Sequence, residues 1–84
     1  IGRAAAMTAA RLDAVADGPV RAMFASIANQ LEHMGATIAD GGTPTIADRN
    51  RITLGVIAVR ELEADDPDYC DVLCDAAFRY RHLA

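Results

Sequence analysis

The sequence predicts an all-α fold, a small antiparallel helical bundle of three main helices preceded by a short leading helix. Residues that favour helices, above all Ala, Leu, Arg, Met and Glu, dominate the 84-residue chain, whereas strand patterns are almost absent. In two long segments, apolar residues recur at alternating spacings of four and three, which is the period of an α-helix. Gly and Pro residues separate the segments, and the length accommodates a single domain.

The first segment predicts a short helix over residues 8–16. Residues 1–6 resemble a vector-derived tail, so we expect the domain to comprise residues 7–84. Gly18 can adopt the left-handed conformation that ends a helix, and Pro19 suits the first turn of the next one.

The second segment carries the clearest periodicity. Its apolar residues form one stripe along a helix: Val20, Phe24, Ile27, Leu31, Met34 and Ile38. We interpret the stripe as the core face, because so small a domain needs every such stripe to bury apolar surface. The alternative interpretation is a seam between two copies in a homodimer. Gly41 and Gly42 are expected to end this helix.

The third helix is predicted to start at Thr43 and Pro44, with Thr43 as the N-cap and Pro44 in the first turn. Apolar residues of the segment 52–62 occupy more than one face, so we expect this helix to lie sandwiched between neighbours. Gly55 costs about 1 kcal/mol relative to Ala inside a helix, which indicates that another backbone comes close to it. The helical pattern continues to Ala64.

The fourth helix follows the sharpest boundary in the sequence. Asp66 can cap it, and Pro67 can occupy its first turn. Its stripe again has helical spacing and consists of Tyr69, Leu73, Ala76, Tyr80 and Leu83, with Val72 and Phe78 beside it.

The charge of the chain argues against nucleic-acid and membrane partners. The net charge is −4, and the eight basic residues, all Arg, form no basic stripe. An anionic bilayer would repel such a chain, and no apolar run approaches the length of a membrane span. We therefore expect a cytoplasmic protein.

Residues suited to catalysis or metal binding are few. Cys70 and Cys74 are four residues apart, but a zinc site needs two further ligands, and His33 and His82 have no suitable spacing. We expect both cysteines to be small buried apolar residues. Ser26, the only serine, lies in the middle of a helix and lacks a nucleophile turn. The sequence therefore predicts no catalytic residue, metal site or cofactor.

One segment concentrates acidic charge. Seven of the twelve acidic residues lie within fifteen positions, namely Glu61, Glu63, Asp65, Asp66, Asp68, Asp71 and Asp75. Pro67 and the helical flanks are incompatible with a calcium-binding loop. Two interpretations remain: a solvated face combined with helix capping, or a surface that binds a basic protein partner.

A longer motif surrounds this acidic segment. It comprises residues 51–63, Asp66 and Pro67, then Leu73, Asp75, Ala76 and Phe78, with Pro19, Gln30 and Leu31 upstream. This pattern resembles the small helical immunity proteins of type VI secretion systems, which neutralise NAD(P)+ glycohydrolase effector toxins. The resemblance implies a non-catalytic inhibitor that binds a cognate toxin domain in the cytoplasm and blocks its active site. The apolar positions of the motif are interpreted as helix packing.

The acidic residues fit that mechanism. A cleft that binds a dinucleotide pyrophosphate is expected to be electropositive, so carboxylates can occupy it by matching the charge of phosphate. We expect Glu61, Glu63, Asp65, Asp68 and Asp71 to face the toxin, with Tyr69 as an aromatic anchor.

Two other function classes compete with this one. The first is a homodimeric structural or regulatory helical bundle without a toxin partner, in which the second helix's stripe forms the dimer seam. The second is a small NAD-processing enzyme, which the lack of a plausible nucleophile or base disfavours.

Overall fold

The computed structural model describes residues 2–39 and 41–82, and this part of the chain is helical and contains no strand. The elements are α1 (Gly2–Ala14), α2 (Pro19–Ala39), α3 (Ile46–Arg51), α4 (Leu54–Ile57) with a π-helical segment (Ala58–Leu62) continuing from it, and α5 (Pro67–Arg81). Helix α1 packs against α2 and α5, while α4 and the π-helical segment pack against α5. The all-α prediction is confirmed. The antiparallel direction of the helices stays a prediction.

Helix α1 is longer than the short leading helix predicted over residues 8–16. It runs for 13 residues and begins at Gly2, because Ala-rich sequence favours helix and Ala4 packs into the core with 1% of its surface exposed. A vector origin for residues 1–6 stays a prediction, as does the domain boundary drawn from it, but residues 2–6 are part of this helix.

The turn between α1 and α2 is stabilised by Arg21. Its Nη1 donates hydrogen bonds to the carbonyl oxygens of Leu12, at 2.6 Å, and Val15, at 3.3 Å, which have no partner further along α1. Gly18 has a φ of 146°, a backbone angle that residues with a side chain rarely adopt. The predicted break at Gly18 and Pro19 is therefore confirmed.

The stripe of α2 is the core face over most of its length. Phe24, Ile27, Leu31 and Met34 are buried, whereas Val20 and Ile38 at its two ends are 55% and 42% exposed. These four side chains are buried within the chain itself. The α2 stripe therefore no longer supports the alternative interpretation of a homodimer seam. Gly41 follows the helix with a φ of 73°, and its N–H donates to the carbonyl of Ile38 at 3.0 Å.

Helix α3 begins two residues later than predicted. Its N-cap is Thr45, not Thr43, because Thr45 and Asp48 form a capping box. The Asp48 N–H donates to Thr45 Oγ1 at 3.0 Å, and the Thr45 N–H donates to Asp48 Oδ2 at 3.1 Å. The bonds from the Thr45 backbone and side chain lower the pKa of the Asp48 carboxyl. Pro44 precedes the helix and is buried.

The third helix, predicted to be continuous, is interrupted at Ile52 and Thr53. Ile52 adopts an extended conformation and buries its side chain. Gln30 of α2 supplies the partner that the Thr53 N–H lacks in the helix, since this N–H donates to Gln30 Oε1 at 2.8 Å. A side-chain bond from Gln30 Nε2 to Thr53 Oγ1, at 3.1 Å, accompanies it. The helix can therefore be interrupted here because a side chain from a distant part of the sequence satisfies the backbone N–H of Thr53.

The prediction that the third helix lies between neighbours on two faces is also wrong, because one of its apolar faces is exposed to solvent. Leu54, Ala58 and Leu62 are buried, but Val56 and Val59 are 61% and 53% exposed. The segment packs mainly against α5, and its Val56 and Val59 side chains face solvent.

Gly55 does allow a close approach. A Cβ atom at this position would lie 3.4 Å from the Cβ of Ala77 in α5, so the close neighbour is a side chain and not a backbone.

The stripe of α5 lies in the core as predicted. Tyr69, Leu73, Ala76 and Tyr80 are buried, while Leu83 lies outside the described residues. Pro67 occupies the first turn, but the Asp66 side chain does not cap the helix. Phe78 is 64% exposed and meets the His82 ring edge-on, with centroids 4.3 Å apart.

None of the helices in residues 2–39 and 41–82 has the length and apolarity that crossing a membrane requires.

The two buried tyrosines give a test of the core. Tyr80 is 1% exposed and its hydroxyl has no hydrogen-bond partner among the described residues, whereas the Tyr69 hydroxyl lies 2.6 Å from Thr8 Oγ1. We expect Tyr80→Phe to leave the free energy of unfolding unchanged or to raise it. Tyr69→Phe should lower it by about 1 kcal/mol. Urea denaturation followed by circular dichroism measures both. A larger loss for Tyr80→Phe than for Tyr69→Phe would contradict this account.

Candidate functional site

The acidic residues predicted to contact a partner lie around the junction between the π-helical segment and α5. Glu61 belongs to the π-helical segment, Glu63 and Asp65 to the turn after it, and Asp68 and Asp71 to the first two turns of α5. All five are exposed. We call this set the acidic junction. The fold therefore brings five of the six predicted contact residues to one region of the surface.

Four of these carboxylates are unpaired. Glu61 accepts a hydrogen bond from Arg60 Nε at 3.3 Å. Within residues 2–39 and 41–82, Glu63, Asp65, Asp68 and Asp71 make no hydrogen bond or ion pair through their side chains. Asp75, further along α5, is paired with Arg79, with 2.9 Å between Nε and Oδ2. The unpaired carboxylates therefore belong to the acidic junction, whereas Asp75, which lies outside it, is ion-paired.

Asp66 has a different role from its acidic neighbours. Arg11 of α1 contacts its Oδ2 with two nitrogens, Nη2 at 2.7 Å and Nε at 2.8 Å. The pair is only partly exposed, with 26% of the Arg11 side chain and 34% of the Asp66 side chain accessible. Arg11 Nη1 also donates to the Met7 carbonyl at 3.1 Å. Asp66 therefore joins α5 to α1 and is not available to a partner.

Tyr69, predicted as an aromatic anchor for the partner, lies in the core with no exposed surface. The Arg11 guanidinium carbon is 4.0 Å from the centre of its ring, a cation–π contact. Its hydroxyl contacts Thr8 Oγ1, and Thr8 donates its own proton to the Ala4 carbonyl at 2.8 Å, so Tyr69 is the donor to Thr8. Burial raises the pKa of the Tyr69 hydroxyl, which keeps this donor protonated.

The two cysteines are free thiols. Cys70 is buried, and that burial, together with the neighbouring Cys74 and the charges of Glu63 and Asp71, raises its pKa to about 11. Cys74 is half-buried, with its Sγ 4.0 Å from the Gly55 carbonyl oxygen. No group of His, Cys, Asp or Glu side chains in the described part of the chain has a metal-binding arrangement.

Two exposed apolar residues lie next to the acidic junction, on the segment that leads into it. Val56 and Val59 face solvent because Leu54 and Ala58 occupy the core side of the same helical segment. Sequence reasoning assigned both valines to packing and so missed them as surface residues. Protein interfaces commonly combine an apolar centre with a polar rim. Val56 and Val59, together with the nearby unpaired carboxylates, combine apolar and charged groups in this way.

Comparison with known protein families identifies the chain. The model of one family, Tsi6, matches residues 1–82. The chain belongs to the Tsi6 family. No curated protein and no solved structure matches it.

Tsi6 is a family of type VI secretion immunity proteins that act against the NAD(P)+ glycohydrolase toxin Tse6. This Tsi6-family chain is accordingly a type VI immunity protein, whose partner is a toxin protein. The resemblance found in the sequence is confirmed.

The Arg11–Asp66 contact should stabilise this Tsi6-family fold more than an ordinary surface ion pair does. We expect Arg11→Met to lower the free energy of unfolding by roughly 1–2 kcal/mol, because it removes charged hydrogen bonds from a partly buried site. The matched control is Arg79→Met, which breaks the exposed Arg79–Asp75 pair and should cost less than about 0.5 kcal/mol. Chemical denaturation measures both, and equal losses would contradict a structural role for Arg11.

Proposed function

We propose that this chain binds an NAD(P)+ glycohydrolase toxin in the cytoplasm of the cell that produces the toxin, and that it obstructs the toxin's active-site cleft. Membership of the Tsi6 family supports this class of toxin, because the family acts against an NAD(P)+ glycohydrolase. The observation that supports the contact surface is the set of four exposed, unpaired carboxylates of the acidic junction. The chain acts by binding and not by catalysis.

Electrostatics supports binding through the acidic junction. Like charges that lie close together repel one another, and no cation of the described part of the chain neutralises Glu63, Asp65, Asp68 or Asp71 through an ion pair. A basic surface on a partner would remove this repulsion and would steer the partner to this side of the molecule. The charge pattern therefore favours a partner with a basic surface.

The substrate of the proposed toxin defines such a surface. NAD(P)+ carries a negatively charged pyrophosphate, so the cleft that binds it must supply positive charge or hydrogen-bond donors. Carboxylates of the acidic junction can take the place of the substrate phosphates in that cleft. Substrate and immunity protein would then compete for the same basic groups.

The apolar residues beside the acidic junction would supply the dry part of the interface. Val56 and Val59 are each more than half exposed, and burying an apolar side chain in an interface contributes favourable free energy. A stable complex typically buries about 800 Å² on each partner. That is about a sixth of the 5214 Å² accessible surface of this chain, so the interface fits on one side of the molecule.

Charge reversal of the acidic junction should weaken toxin binding. We expect the triple variant Glu63→Arg, Asp65→Arg and Asp68→Arg to lower the affinity for the cognate NAD(P)+ glycohydrolase toxin domain by about tenfold or more. None of the three side chains makes a hydrogen bond or ion pair in the described residues, so the fold should be retained. Isothermal titration calorimetry at two salt concentrations measures the affinity and its salt dependence.

A second triple variant controls for the change in net charge. Reversal of Asp13, Asp17 and Glu32, which are exposed on other elements, adds the same charge and should leave the affinity within about twofold of the original. Because this change also breaks the exposed Asp17–Arg21 ion pair (3.5 Å), circular dichroism verifies that the variant is folded. Equal losses for both variants, or no loss for either, would show that the acidic junction is not the contact surface.

Obstruction of the active site predicts stoichiometric inhibition. As the chain is added, NAD+ hydrolysis by that toxin domain should fall in proportion and reach zero at about one equivalent, as expected for a tight complex. Because substrate and immunity protein compete, a high concentration of a non-hydrolysable NAD+ analogue should slow association of the two proteins. Hydrolysis is followed by loss of NAD+, and association by surface plasmon resonance.

Two results would contradict different parts of this proposal. If the complex forms but NAD+ hydrolysis continues, the chain does not obstruct the active site. If the chain binds a toxin that does not consume NAD(P)+, the proposed class of toxin is wrong.

A further inference from the structure

A surface cavity lies on α2, and no residue of the acidic junction lines it. It is a groove of about 520 Å³ between α2 and the interruption that separates α3 from α4. Ala22 and Ala25 of α2, together with Ile52, provide apolar walls, and Asn29, His33 and Arg51 add polar groups. A second groove of about 510 Å³ shares Ala22 and continues past Val20 to Ile57 and Arg60. We call the two together the α2 groove.

The α2 groove has the length of a helical segment. It follows α2 from Val20 to His33, and fourteen helical residues span about 20 Å. Small side chains on α2 keep it open on one side. On the other side, the paired hydrogen bonds between Gln30 and Thr53 hold the interruption after α3 in place. The walls are therefore formed before any partner arrives, which reduces the entropic cost of binding.

The backbone of the walls decides which conformation the groove can accept. Both walls are mainly helical, so most of their backbone N–H and C=O groups are already paired within the chain. An extended peptide would find few backbone partners there, and its own polar groups would lose hydrogen bonds to water. A helix satisfies its backbone internally and can bury an apolar face in such a groove.

The charge of the groove indicates one further property of its occupant. The Arg51 guanidinium is exposed and makes no hydrogen bond or ion pair within residues 2–39 and 41–82. His33 stands nearby on α2, with its Nε2 3.8 Å from Asp48 Oδ1. At the opposite end, Arg60 is paired with Glu61. Asp48 also interacts electrostatically with Arg51, but no carboxylate of the described residues lies within ion-pair distance of the Arg51 guanidinium. Arg51 is therefore the cation at this end of the groove that can form a direct ion pair with an occupant.

We propose that the α2 groove binds a helix of the toxin that presents an apolar face to Ala22 and Ala25 and a carboxylate to Arg51. The proposal rests on the toxin-binding function given above and adds a second contact surface to it. Glu61 belongs to both surfaces, so a single toxin domain can contact the acidic junction and the α2 groove together. The acidic junction then binds basic groups of the toxin, and the α2 groove binds a segment of opposite charge.

Filling the groove tests this proposal. Ala22→Trp places a large side chain where the two cavities meet, and Ala22 is exposed, so the fold should tolerate the change. We expect it to weaken binding of the cognate NAD(P)+ glycohydrolase toxin domain by about tenfold or more. The control Ala10→Trp makes the same change at an exposed position of α1 and should leave the affinity within about twofold. Circular dichroism verifies that both variants are folded.

Charge reversal tests the predicted carboxylate without changing the shape of the groove. Arg51→Glu should weaken binding by about tenfold. Arg79→Glu, which makes the same charge change at an exposed position of α5 outside both proposed surfaces, should not. If Ala22→Trp acts as expected but Arg51→Glu binds as tightly as the unchanged chain, the occupant carries no acidic group at this position, and that part of the proposal is overturned.

The remaining outcomes separate this inference from the proposed function. If the unchanged chain does not bind the toxin domain, the proposed function fails and the α2 groove has no toxin helix to accept. If the unchanged chain binds and Ala22→Trp binds equally well, the function stands and the groove proposal is overturned. If sedimentation shows a dimer that Ala22→Trp dissociates, the occupant is a second copy of this chain, which also overturns it.

Discussion

The contact of Arg11 with Asp66 and Tyr69 is the interaction on which the rest of the structure depends. It connects the first helix to the start of the last, across 55 residues of sequence to Asp66. Thr8 and Tyr69 extend it into the core through a hydrogen bond that neither residue could make within its own helix. Because Asp66 is held against α1, the chain enters α5 at a fixed position. The unpaired carboxylates on either side of Asp66 are then displayed on the surface.

The segment between α3 and α5 connects the two surfaces assigned to the toxin. Its first part, anchored by the bonds between Thr53 and Gln30, forms one wall of the α2 groove. Its π-helical part ends at the acidic junction, and π-helical turns in proteins are frequently found at functional sites. On the core side, the lack of a side chain at Gly55 lets the segment lie close to Ala77 of α5. A single irregular element therefore positions both surfaces on a regular helical scaffold.

Sequence periodicity predicted the elements that depend on local pattern, and missed those that depend on distant contacts. The stripes of α2 and α5 were found because regular spacing alone places Ile27 or Leu73 in the core. The interruption after α3 was missed because the side chain that compensates for it, Gln30, lies 23 residues away. The acidic junction could be predicted from composition. The α5 stripe also placed Tyr69 on the core face, so its assignment as a partner anchor conflicted with the periodicity. Its contact with Thr8 could not be predicted, because Thr8 lies 61 residues away on α1.

Asp66 is ion-paired within the fold and the neighbouring carboxylates are not, and this difference affects how the protein can evolve. Asp66 stabilises the fold, so its replacement carries a folding penalty in addition to any effect on recognition. Glu63, Asp65, Asp68 and Asp71 make no intramolecular hydrogen bond or ion pair in the described part of the chain. Their substitution is therefore nearly free of such a penalty. An immunity protein built in this way can acquire new recognition specificities by mutation while its scaffold stays intact, and so can follow a toxin whose surface changes over generations.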